Sequence, residues 1–115
     1  MKKFILLSFL LASVASFAAH PHKALMEAKV YKQELSLSED QTKELIELLS
    51  QEIDDLRQLQ SLRASSVQEY RTKTRDTRMA FEVKLKDLLN KKQFDYYKSH
   101  RREIKDKIKE ARLFW

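Results

Sequence analysis

The 115-residue chain has no cysteine, no glycine and one proline, Pro21. Without cysteine there is no disulfide, no lipid-modified N-terminal cysteine and no thiol catalysis. Without glycine no position takes a left-handed turn cheaply, and beyond Pro21 no residue fixes φ to break a helix. These absences exclude hairpin-built sheets and glycine-lined phosphate loops, and they favour helices. Histidine is sparse too, limited to His20, His22 and His100. No serine, histidine and acid arrangement or paired catalytic carboxylate stands out, so neither an enzyme nor a cofactor is expected.

What is present at the start of the chain is an export signal. Lys2 and Lys3 form a positive n-region, residues 4–14 are an unbroken apolar and small run, and Ser16-Phe17-Ala18 supplies a small-x-small cleavage pattern. Residues 1–18 are read as a signal peptide cut after Ala18, with Ala19 as the alternative. Residues 19–115 then form a single domain in the periplasm. The apolar run is short for a stable membrane anchor, which needs about 20 residues. A domain this small has a thin core and is expected to form a homodimer or hold a partner. Residues 23–62 carry five basic and nine acidic side chains, and residues 63–115 carry sixteen and eight. The basic half invites nucleic acid, but export and the lack of a recognition motif exclude that partner.

Apolar spacing predicts a first helix over residues 24–34, with Leu25, Ala28, Tyr31 and Leu35 on its stripe. A second begins at Ser38, where Gln41 three residues on completes a capping box, and Leu45, Leu49, Ile53, Leu56, Leu59 and Leu62 give it one buried face. Run on to Leu89, that helix would be about 77 Å long. A turn near residues 62–66 is preferred, followed by a long helix to Leu88 burying Val67, Tyr70, Phe81, Leu85 and Leu88, with Thr74 and Thr77 in a poorly packed seam. A further start lies at Asn90 and Gln93, with Leu89 and Phe94 placed as a hydrophobic staple. Phe94, Tyr97, Arg101, Ile104, Ile108, Ala111 and Trp115 then predict one seam to the end of the chain, interrupted by an arginine.

The two helix starts are one pattern written twice, Leu37-Ser38-Glu39-Asp40-Gln41 and Leu89-Asn90-Lys91-Lys92-Gln93. In an exported, glycine-free helical chain they resemble the LTxxQ signature of the Spy/CpxP family of periplasmic stress proteins. Ser38 and Asn90 stand where that family usually has threonine. The resemblance implies an all-α fold, a hooked hairpin of about four helices dimerising into an elongated, curved body. It also implies an ATP-independent chaperone that binds unfolded or aggregating periplasmic proteins. Other members of the broad family act as regulatory adaptors on a sensor kinase or as metal-linked sensors of envelope stress, and those remain the alternative. Carried over residue by residue, it assigns Leu37, Gln41, Leu89 and Gln93 a role in fixing helix starts and helix contacts.

Chemistry, not the resemblance, selects a candidate client surface. Residues 63–78 hold Arg63, Arg71, Lys73, Arg75 and Arg78 against only Glu69 and Asp76, with Tyr70 and Met79 as adaptable apolar contacts. A face of that kind attracts acidic chains over distance and holds them weakly by apolar contact; a merely solvated helix face is the competing explanation. Cleavage after Ala18 would leave His20 and His22 close to a free amine, a donor set suited to copper or zinc. The aromatic end, Leu113-Phe114-Trp115, is expected to pack within a dimer.

Overall fold

The computed structural model describes residues 21–113, which form helices joined by short connections, with no strand among them. In chain order they are α1 (Pro21–Leu35), α2 (Glu39–Gln58), a 3-10 turn (Leu59–Ser61), α3 (Leu62–Ser65), α4 (Val67–Leu88), α5 (Lys91–Ser99) and α6 (Arg101–Arg112). The fold is all-α. Among these residues no helix is long and apolar enough to cross a membrane. Residues 1–20, Phe114 and Trp115, and with them the expected signal peptide, His20 and the aromatic end, lie outside the described residues.

The core runs where α1 meets α2 and α6, and where α2 meets α4. Its largest fully covered side chains are Leu45 and Leu49 of α2, Leu85 of α4 and Ile104 of α6. On α1 the buried stripe is Ala24, Ala28, Tyr31 and Leu35, whereas Leu25 is 49% exposed. The sequence pattern had named three of these four and put Leu25 where Ala24 stands. The small Ala24 and Ala28 allow close helix approach, so their apolar weight understates their burial. Two ion pairs fasten α6 to α1, Lys107 to Glu34 at 2.7 Å and Arg112 to the buried Glu27 at 3.2 Å.

The core thins toward the 59–66 connection. Ile53, Leu56, Leu59 and Leu62 are only partly covered. Val67, expected inside, is 54% exposed, because α4 begins one residue after the extended Ser66 and the core lies further along it, at Phe81 and Leu85. Ser66 caps α4 by accepting the Glu69 N–H. At the other end, the seam expected to run unbroken from Phe94 is divided at His100, whose backbone leaves the helical region between α5 and α6. The His100 ring stacks on Tyr96 at 3.8 Å between centroids and lies within hydrogen-bond distance of the Ser99 hydroxyl and the Tyr96 carbonyl. Local side-chain bonds of this type compete with helix continuation.

One connection takes the left-handed turn the composition disfavours. Ser36 has φ 56°, and the Leu37 N–H reaches back to the Lys32 carbonyl at 3.2 Å, which closes α1 in a Schellman motif. A residue with a Cβ is strained there, by roughly 1–2 kcal/mol. Ser36→Gly is therefore expected to raise stability by about 0.5–1 kcal/mol in urea unfolding, less than the strain relieved because glycine also loosens the unfolded chain. A fall in midpoint would show that the serine stabilises this turn.

Candidate functional site

Two features stand out. The first joins the repeated motifs. Ser38 and Asn90 both sit as extended N-caps, each accepting the backbone N–H of the glutamine three residues on, while that glutamine's Oε1 accepts the cap's own N–H. The fold then sets the two boxes face to face. The Gln41 Nε2 donates to Gln93 Oε1 at 2.8 Å and the Gln93 Nε2 donates to Gln41 Oε1 at 3.2 Å. Each amide spends its second hydrogen on the opposite helix end. Gln41 donates to the Leu88 carbonyl, and Gln93 donates to those of Leu35 and Ser36. Both lone pairs and both hydrogens of each amide are thus used. Leu37 and Leu89, one residue ahead of each cap, are buried in the core beneath the pair, and Phe94 packs against the same cluster.

The second feature is an open cleft of about 780 Å³ with α4 on one side and α6 on the other. Tyr31, Phe81, Tyr97, Ile104 and Ile108 form its floor and are all buried. Tyr97 lies 6.2 Å from the Tyr31 ring and carries the Arg101 guanidinium 5.5 Å from its centroid. Its hydroxyl donates to Glu82, which also receives Arg101 at 2.9 Å. Burial first, then the neighbouring carboxylate, raises the Tyr97 hydroxyl above the ordinary phenol range. Tyr31 is raised likewise, by burial and then by Tyr97. Thr74, on the α4 wall, has a buried hydroxyl with no partner among the described residues.

The rims are basic. Tyr70, Arg71, Arg75, Arg78 and Met79 line the α4 side, and Arg101, Lys105, Lys109 and Arg112 line the α6 side. Of the candidate client residues, Arg63 and Lys73 do not join them. Arg63 is exposed on α3 with its guanidinium 5.6 Å from the Tyr70 ring centroid, and Lys73 faces Glu69 along its own helix. Met79 is 59% exposed at the cleft edge. The α6 row is the part sequence reasoning missed. Its signal was available, since residues 101, 105, 109 and 112 are all basic at steps of four, four and three, a continuous face on a helix.

One acid belongs to the cleft and to both neighbouring hollows. Glu52 of α2 lies at the junction of the three, and its carboxyl is pushed up to about 7. Burial is the main cause. Arg78 of α4 opposes it, Glu27 of α1 adds to it, and Lys105 of α6 and Asp55 of its own helix act more weakly in opposite directions. Glu52 also continues the Leu45 and Leu49 stripe by a step of three, so a carboxylate occupies a core-facing register.

As for a metal, His20 lies outside the described residues and His22 is exposed at the start of α1. Among the described residues no group of three or more histidine, cysteine or acidic side chains could hold an ion. No protein-family model, curated protein or solved structure matches the chain.

Proposed function

We propose that the chain is a periplasmic envelope-stress protein of the Spy/CpxP type, a chaperone that holds unfolded or aggregating proteins without ATP. The observation that carries this reading is the cleft, an aromatic and aliphatic floor between two basic rims. Exposed cations speed the capture of acidic chains, and weak apolar contacts let them go again without an energy source. The doubled capping motif with its paired glutamines supports the family assignment. In this reading α2 and α4 are the arms of a hairpin, α1, α5 and α6 are its hooked ends, and the active form is a homodimer. Val67 and Val83 on α4, Leu25 on α1 and Leu113 after α6 are the exposed apolar side chains that a second copy covers. An adaptor for a sensor kinase would use the same basic rims against an acidic partner domain.

Light scattering from an aggregating client tests the proposal. An equimolar amount of the mature protein is expected to suppress most of the signal. Changing Arg71, Arg75 and Arg78 together to Glu should remove most of that suppression, and added salt should weaken it in the parent. If the parent does not suppress aggregation at equimolar amounts, the chaperone reading fails.

A further inference from the structure

The two rims of the cleft carry like charge and face each other with little between them. Arg101 and Arg112 are held by Glu82 and Glu27. Arg71 and Arg78 on α4 and Lys105 and Lys109 on α6 make no ion pair among the described residues. Cations set opposite one another across an open cleft repel through the solvent between them, and an anion placed between them relieves the repulsion from both sides. The floor asks for something else. It is built of rings and branched aliphatic chains, and on the α4 wall beside it the uncharged Thr74 hydroxyl is a polar group without a partner among the described residues. Of the floor carboxylates, Glu27 and Glu82 are already paired. Burial holds the proton of Glu52, so little negative charge opposes an anion at mildly acid pH. The volume lies within the ~300–1,000 Å³ of small-ligand sites.

We propose that the cleft between α4 and α6 is a binding site for a single-chain amphiphilic carboxylate, its head between Arg71 and Arg78 on one rim and Lys105 and Lys109 on the other, its tail along Tyr31, Tyr97 and Ile108. Charge complementarity selects the head and the apolar floor selects the tail. The site is the same cleft assigned above to clients, but amphiphile binding does not depend on that reading. A chain that suppresses aggregation yet ignores the amphiphile separates the two, as does the reverse.

Calorimetry on the mature protein with dodecanoate below its micelle concentration tests it. One equivalent is expected to bind, with hexanoate, inorganic phosphate and dodecyltrimethylammonium each at least tenfold weaker. Arg78→Glu combined with Lys105→Glu should weaken dodecanoate at least tenfold, and so should Arg71→Glu combined with Lys109→Glu. All four positions are exposed, so the helical circular dichroism of these variants should stay that of the parent. Lys43→Glu with Lys86→Glu makes the same change of net charge away from the cleft and should bind as the parent does. Equal binding of the cationic amphiphile or of phosphate overturns the proposal, as does equal loss in the control pair.

Discussion

Replacing Gln93 by alanine is expected to lower stability by about 2–4 kcal/mol, a drop of roughly 10–25 °C in Tm for a domain of this size. The change removes a capping interaction, leaves the Asn90 N–H and the Ser36 carbonyl unpaired where water reaches them, and leaves the Leu35 carbonyl and half of the Gln41 amide unpaired in a part-buried setting. Unmade bonds in such a place cost more than an average bond contributes, because the orphaned groups lose water without gaining a partner. Gln41→Ala should act in the same way through the Ser38 N–H and the Leu88 carbonyl. Combining the two should cost less than their sum, by about 1–2 kcal/mol, because the second change removes a group the first has already stranded. Urea unfolding of the four proteins measures this coupling. Additivity to within a few tenths of a kcal/mol would mean that the amides act only as separate caps.

The second large effect is a dependence on pH. Glu52 has a folded pKa of about 7 against an ordinary 4.5, so between those values the folded chain keeps a proton that the unfolded chain has lost. Stability from this group is complete below about pH 4.5, declines as pH rises toward 7 and is level above it. Allowing for partial solvent access, the decline is about 1–3 kcal/mol. Glu52→Gln keeps the shape and removes the charge. The variant should match the parent near pH 4.5 and exceed it by that amount at pH 8, in thermal melts run at both pH values. Comparing the two proteins cancels the other titrating carboxylates. A variant less stable than the parent at pH 8 would mean that ionised Glu52 is held by Arg78 and Lys105 more strongly than burial opposes it.

What the sequence disclosed follows from the range of the interactions involved. Caps are local, so Ser38 with Gln41 and Asn90 with Gln93 could be read from a spacing of three. That the two glutamines bond to each other could not, because 52 residues separate them and nothing in either motif names its partner. Helical class followed from missing glycine and proline together with apolar steps. Register failed where side-chain size and burial part company, as at Ala24 against Leu25, and near Val67, where core contacts begin further along the helix than its stripe does. The α4 basic rim showed as a cluster in sequence. Its counterpart on α6 did not, because Arg101 looked like a fault in an apolar seam, whereas it lies over Tyr97 and pairs with Glu82. Glu52 was the least legible, since its role depends on α1, α4 and α6 closing around it.

The glutamine pair has one more consequence. Its bonds join residues far apart in the chain, so they do not distinguish a partner on the same molecule from one on another. The only connection between the two halves is the stretch 59–66, which holds no glycine or proline and departs from helical geometry chiefly at Ser66. Were that residue to turn helical, α2 and α4 would swing apart and the two glutamines of one chain would no longer meet. The extended backbone at Ser66, which also caps α4, is therefore what lets the two capping boxes pair within a single chain.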